Sequence, residues 1–212
     1  MSANETRHTS ETGGQKAGND ERYDLIPVEP LRRLAIYAGT RSLRATGNMA
    51  EMCNHIWLFW SGEEVDATTE WVHLIAASWH AMRLAEQNNF TSAHPYDTSE
   101  HGRSRARYDL IPTEPLRLLA KHFGVGSRKY DDDNWRRGYD WRLSFSALNR
   151  HLWQWWAGEE IDQETGSPHL IAVAWHCLVL DEFTRIQPGF DTRVIAPSHL
   201  TWCPEGERRT TQ

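Results

Sequence analysis

An internal repeat constrains the fold of this 212-residue chain more than any other feature of its sequence. The segment RYDLIPVEPLRRLAIYAG at 22–39 matches RYDLIPTEPLRLLAKHFG at 107–124, an offset of 85 residues. The block NHIWLFWSGEEVDATTEWVHLIAASWH at 54–80 matches RHLWQWWAGEEIDQETGSPHLIAVAWH at 150–176, an offset of 96. The second copy therefore carries eleven additional residues between its two blocks, within SRKYDDDNWRRGYDWRLS. Such dense repetition predicts two copies of one structural unit.

Both copies are predicted to be helical, because apolar residues recur at helical spacing and alternating strand patterns are absent. In the second copy the first helix is expected to end at Gly124. A second helix is expected from near Ser144 to about Ile161, and a third from about Pro168 to Thr184. The predicted fold class is all-α, with two tandem, internally duplicated helical units packed as a pseudo-dimer bundle.

Five segments are expected along the chain. They are a flexible N-terminal tail at 1–21, a degenerate first repeat at 22–85, a linker at 86–106, a second repeat with the expected active site at 107–185, and a C-terminal tail at 186–212. One helical hairpin cannot bury its own apolar face, so tryptophans of both units are predicted to close the units on each other. These are Trp57, Trp60, Trp79, Trp153, Trp156 and Trp175.

Composition argues against several classes of protein. A net charge of −6 and a pI near 6.0 argue against a general nucleic-acid binder. No apolar run reaches the length of a membrane span, and the polar N-terminal segment does not resemble a signal peptide. Three cysteines without a C-x-x-C pair favour a reducing compartment. We therefore expect a cytoplasmic protein without nucleic-acid or membrane partners.

The GEEID segment of the second copy joins acidic residues to a tryptophan-rich helix. On a continuous helix Glu159 would lie within the apolar face, with Asp162 beside it and His151 on its flank. A carboxylate on an apolar face is costly unless it is paired or binds a metal. We expect Glu159, Asp162, His151 and His169 to converge as metal ligands. Carboxylate oxygens suit Mg²⁺ or Mn²⁺, and a histidine-rich set would admit zinc.

Structural roles for the same residues stay open at this point. Glu159 can instead pair with Arg150 or cap a helix end. Glu160 points nearly opposite His151 on a helix and can be a solvated carboxylate. The histidines can be buried core residues that donate to backbone carbonyls.

The inserted segment supplies positive charge. Lys129, Arg136 and Arg137 can contact phosphate, and Trp135 or Tyr130 can stack on a base. The alternative is a charged surface loop, although exposing Trp135 would be costly. An acidic cluster beside a basic aromatic loop suits metal-dependent chemistry on a nucleoside polyphosphate.

Two motifs together carry a family resemblance. KYDDDNW at 129–135, followed by RHLWQWWAGEEIDQETGSPHL at 150–170, resembles the phage dATP/dGTP diphosphohydrolase family, which is related to the MazG-like all-α nucleotide pyrophosphohydrolases. The resemblance covers about 107–183 and, more weakly, 22–85. It implies hydrolysis of purine (deoxy)nucleoside triphosphates, such as dATP or dGTP, to the monophosphate and pyrophosphate with Mg²⁺ or Mn²⁺. A phage protein of this kind would act in the host cytoplasm.

The resemblance also implies roles for individual residues. By motif match Glu159 and Asp162 would bind metal, and Glu160 would be a further ligand or the general base. Contacts to the nucleotide would come from Lys129, Asn134 and Arg136. One departure leaves the ligand set open: the MazG-like pattern places acids on the following helix, where this chain offers His169 and His176.

The leading hypothesis is thus a nucleoside triphosphate pyrophosphohydrolase, with the triphosphate as its partner molecule. Two alternatives come from other classes: a nucleotide-sequestering module without turnover, and a structural or interaction protein. A homo-oligomer in addition to the intramolecular pseudo-dimer is compatible with the sequence.

Overall fold

The computed structural model describes residues 20–41, 45–86 and 106–193, together with the backbone of two short strands. Six α-helices occupy these ranges: α1 (Val28–Thr40), α2 (Met49–Trp60), α3 (His73–Ala85), α4 (Thr113–Tyr130), α5 (Trp141–Trp156) and α6 (His169–Ile186). Short 3-10 helices lie at Tyr23–Leu25, Tyr108–Leu110, Asn134–Arg137 and Pro188–Phe190. The all-α class is confirmed, and no helix in the described ranges is long and apolar enough to cross a membrane.

Strand β1 (Arg7–Thr9) pairs antiparallel with β2 (Gln15–Ala17), within the segment expected to be a tail. Only the two end residues of the expected linker are described, so that prediction lies outside the described residues. The same holds for the C-terminal tail beyond residue 193.

Helices at repeat-equivalent positions appear in the same order in both halves of the chain. α1, α2 and α3 correspond to α4, α5 and α6, and a YDL 3-10 turn precedes the first helix of each half. The loop between the second and third helices is also alike. Isolated bridges join Val65 to Val72 and Ile161 to Pro168. Gly62 and Gly158 both have φ near 100°, a left-handed conformation that favours glycine and ends the preceding helix.

Two predicted helix ends were wrong. α4 continues through Gly124 to Tyr130, because this glycine serves a close approach between segments. A Cβ there would lie 2.4 Å from the Asp20 carbonyl oxygen. α5 ends at Trp156 rather than near Ile161, so the acidic segment lies beyond the helix in the following loop.

The third helices of the two halves, α3 and α6, pack against each other at the centre of the molecule. α2 and α1 cover α3, while α5 and α4 cover α6. Trp79 is buried in this core, and Trp60 and Trp175 are half-buried. Trp57 and Trp60 pack on Phe145 of the second half, with ring centroids 5.3 and 3.9 Å apart, although Trp57 is half exposed. Trp153 and Trp156 are exposed, so the prediction that all six tryptophans close the units together was wrong for these two.

Two buried acids on α6 were not singled out in the sequence. Asp181 and Glu182 are 2% and 3% exposed within an otherwise apolar helix. Asp181 pairs at 3.0 Å with Arg33 of α1, and Glu182 pairs with Arg185 and, at 3.9 Å, with Arg136. Burial raises the pKa of Asp181 to about 6, so its ionised form is disfavoured in the folded chain despite the arginine.

Replacing Asp181 with asparagine should therefore make the free energy of unfolding less dependent on pH. The folded-state pKa lies above the ordinary value of 3.8, so the protonated carboxyl stabilises the wild-type fold at low pH. This contribution is lost as pH rises from 3.8 through about 6. Urea unfolding at pH about 5 and about 7.5 should show the D181N chain gaining about 1 kcal/mol relative to wild type at the higher pH. A difference that does not change with pH would contradict the raised pKa.

Candidate functional site

A pocket of about 550 Å³ opens between α4, α5, α6 and the loop that joins α4 to α5. Its volume lies in the range of small-molecule sites. The wall combines aromatic side chains with histidines, cations and acids. Prominent lining residues are His122, Tyr130, Trp135, Arg150, His151 and Asp162.

The inserted loop forms one wall of the pocket and is anchored by Trp135. This indole is 7% exposed and packs near Phe123 and Phe183. Gly138, at φ 79°, turns the chain where a Cβ would lie 2.7 Å from the side chain of Gln187. The loop is thus held against α4 and α6, which gives the pocket a defined wall.

Three buried side chains meet beside this pocket. His151 comes from α5, Asp162 from the following loop and His169 from the first turn of α6. One ligand atom from each lies within 4.8 Å of the others, and no other such group of three occurs among the described residues. The two histidine Nδ1 atoms are 2.8 Å apart, and Asp162 accepts a 2.7 Å hydrogen bond from the Thr165 hydroxyl. The predicted convergence of these three residues is therefore present in the structure.

Hydrogen-bond partners assign the tautomers of the histidine pair. Arg150 can only donate, and its Nη2 lies 3.1 Å from His151 Nε2, so this nitrogen is the acceptor. The proton of neutral His151 then lies on Nδ1, which donates to His169 Nδ1. His169 consequently carries its proton on Nε2, which is buried without a hydrogen-bond partner in the described part of the chain. The oxygen Oε1 of Glu159 lies 3.7 Å from it.

The electrostatics of the cluster favour a neutral histidine beside a charged carboxylate. Burial, together with the Arg150 guanidinium, lowers the pKa of His151 to about 4. Although burial acts to raise it, the pKa of Asp162 is lowered overall by the Thr165 hydrogen bond and by His151. Around neutral pH the cluster therefore offers an uncharged imidazole and a carboxylate, the forms that metal ligands must take.

The other two predicted acids lie outside the pocket. Glu159 is 40% exposed, and its carboxylate accepts a 3.4 Å hydrogen bond from the Gln154 amide. Glu160 is exposed, and its backbone carbonyl accepts from the His169 backbone N–H. Within the described residues no ion pair joins Glu159 to Arg150, the structural alternative left open by the sequence. Neither acid lines the pocket, because α5 ends before them.

The predicted nucleotide-binding residues fall into two groups. Lys129, Tyr130 and Asn134 line the pocket with Trp135. Lys129 Nζ is paired with Glu164 at 2.9 Å, and Tyr130 is half exposed. Arg136 does not line the pocket: it pairs with Asp133, and its guanidinium covers the Trp135 ring at 4.6 Å.

The first half repeats the histidine pair without the rest of the site. His55 and His73 Nδ1 atoms are also 2.8 Å apart. Asp66 instead accepts hydrogen bonds from the backbone N–H groups of Thr68 and Thr69. Among the described residues, His55, Asp66 and His73 do not come close enough together to hold a metal ion. Asn54 stands where the second half has Arg150.

Two pocket residues were missed as site candidates in the sequence. His122 on α4 faces the pocket and hydrogen-bonds to Ser167 at 2.9 Å, and burial lowers its pKa to about 4. Arg150 was considered as an ion-pair partner of Glu159 and as a phosphate contact only in case the inserted loop does not bind phosphate. The repeat offered a signal for both residues. Tyr37 and Asn54 stand at the equivalent positions of the first half, so the histidine and the arginine occur at these positions only in the second half.

Comparison with known proteins gives a match to the part of the chain that contains the pocket. Residues 96–193 match the family model described as dATP/dGTP diphosphohydrolase, N-terminal. This segment contains α4, α5, α6 and every side chain of the cluster and of the inserted loop. No curated protein and no solved structure matches the chain. Residues 96–193 are therefore similar to the N-terminal domain of dATP/dGTP diphosphohydrolases.

Proposed function

We propose that the chain hydrolyses purine deoxynucleoside triphosphates, dATP or dGTP, to the monophosphate and pyrophosphate with a divalent metal ion. The observation that carries this proposal is the buried His151–Asp162–His169 cluster beside a pocket lined by cations and aromatic rings. The similarity of residues 96–193 to the dATP/dGTP diphosphohydrolase family model supports the reaction class. Water adds to the α-phosphorus, the bond from this phosphorus to the α–β bridging oxygen breaks, and that oxygen leaves with pyrophosphate.

The donor set of the cluster fits a divalent ion. Two imidazole nitrogens and one carboxylate suit Mn²⁺ better than Mg²⁺, which prefers an all-oxygen set. We assign His151 Nδ1, His169 Nδ1 and Asp162 as the ligands. The ion would supply Lewis-acid stabilisation of phosphate charge. Glu159 would then act as a positioning residue, because a carboxylate beside the second ring nitrogen orients a metal-bound histidine.

Tyr130 and Trp135 have different roles in the proposed site. Tyr130 lines the pocket with half its surface exposed, and Lys129 Nζ lies 5.1 Å from its ring centroid, so in the proposal a purine stacks on the ring face that Lys129 leaves open. Trp135 is buried and covered by Arg136, so its role in the proposal is to hold the loop. Nucleotide sequestration without turnover is the second candidate, supported by the same pocket, and it predicts binding without pyrophosphate release.

The most informative variant is Asp162→Asn, with Asp66→Asn as its matched control. Both aspartates accept hydrogen bonds within equivalent loop turns, so both substitutions test the same structural role. Only Asp162 belongs to the metal-sized cluster among the described residues. D162N should lower pyrophosphate release from dGTP at least a hundredfold and abolish the rise in Tm on adding Mn²⁺. D66N should keep both.

Equal losses in the two aspartate variants would instead show that activity depends on the folded loop turns and not on a metal site at Asp162. Wild-type binding of dGTP without pyrophosphate release would favour the sequestering alternative.

Glu159→Gln, with Glu63→Gln as its counterpart in the first half, separates ligand from positioning roles. If Glu159 orients His169, E159Q should lower Mn²⁺ affinity and activity by about 10- to 100-fold, a smaller loss than that of D162N. E63Q should retain near-normal activity, measured by the same pyrophosphate assay. A loss in E159Q as severe as in D162N would place Glu159 in the ligand set. A comparable loss in E63Q would make the site composite between the two halves.

A further inference from the structure

The cations around the pocket differ in how far protein carboxylates neutralise them. Lys129 is paired with Glu164, and Arg136 is paired with Asp133 and lies near Glu182. Arg150 has no carboxylate within ion-pair distance among the described residues. Its guanidinium contacts only neutral acceptors there, Gln154 Oε1 at 3.2 Å and His151 Nε2 at 3.1 Å. The pocket therefore contains a cation that no carboxylate pairs with directly in the described part of the protein, and Glu164 interacts with it only at longer range.

We propose that Arg150 is the principal phosphate-binding residue of this pocket, an inference that rests on the proposed function. It lines the pocket one residue from His151, so an anion bound beside the metal cluster would lie within its reach. A guanidinium binds phosphate oxygens through paired, charge-assisted hydrogen bonds. The first half has Asn54 at this position and lacks the inserted loop, so the feature is specific to the half with the pocket.

The tautomer of His151 links this arginine to the metal ligands. Without a metal, His151 Nε2 accepts from Arg150 and Nδ1 donates to His169. An ion bound at His151 Nδ1 would require the proton on Nε2, and this nitrogen could then no longer accept from Arg150. The arginine would lose one of its two protein acceptors and would be free to donate to a phosphate oxygen. His151 thus favours phosphate binding by Arg150 when the metal is present.

The test compares Arg150→Gln and Arg150→Lys with Arg142→Gln. Arg142 is an exposed cation on the same helix, paired with Asp140 outside the pocket, so it controls for the loss of one positive charge. The probes are the α,β-methylene analogue of dGTP, which cannot be cleaved at that bond, and deoxyguanosine, which has no phosphate. Binding is measured by calorimetry with Mn²⁺ present, and unchanged Tm shows that each variant folds.

R150Q should weaken binding of the analogue by about tenfold or more and leave deoxyguanosine binding unchanged. R150K should recover part of the loss, because it keeps the charge but not the paired geometry. R142Q should bind the analogue like wild type. The dependence of analogue affinity on salt concentration should also be weaker in R150Q than in R142Q.

Unchanged analogue affinity in R150Q would overturn the assignment of Arg150, while pyrophosphate release by the wild type would leave the proposed function intact. A parallel loss of deoxyguanosine binding would also overturn it, because the residue would then shape the pocket rather than bind phosphate. Failure of the wild type to bind or hydrolyse the nucleotide would instead remove the proposed function and the inference with it.

Discussion

The packing of α3 against α6 is the contact on which the rest of the structure depends. α6 is buried along nearly its whole length, from His169 to Phe183, so it needs cover from both halves of the chain. Apolar burial of this extent is the dominant favourable term in folding. It also allows two carboxylates, Asp181 and Glu182, to be buried beside arginines from other segments. The helix that begins with His169 is therefore fixed by the whole bundle.

The two halves share the scaffold of the site but differ in the residues that surround it. Both halves place a histidine pair with Nδ1 atoms 2.8 Å apart at the junction of the second helix, loop and third helix. The junction is thus a structural feature of the unit. The second half adds a loop anchored by Trp135, a cation at Arg150 and an aspartate close enough to the histidines to form a metal-sized group. In the proposed function the chemistry depends on these additions to a scaffold that both halves share.

Sequence patterns predicted the helical class and the convergence of His151, Asp162 and His169, because repeat spacing and short-range geometry determine both. They failed for Glu159, whose place on an apolar helix face assumed that α5 continues past Gly158. The left-handed glycine ends the helix, and G-E-E offered that signal. The contact between Arg33 and Asp181 could not be predicted, because no local pattern joins residues so distant in the chain. The exposure of Trp153 and Trp156 was equally unpredictable, since it depends on which helices form the centre.

In the proposed function only the second half of the chain holds the metal ion that supports the reaction. Calorimetric titration of the intact chain with Mn²⁺, in the absence of nucleotide, measures this directly. We expect a single ion to bind per chain, and this binding to be lost when His169 is replaced by asparagine but not when His73 is. Two equivalent ions per chain, one for each histidine pair, would contradict a single site in the second half, as would the absence of any Mn²⁺ binding.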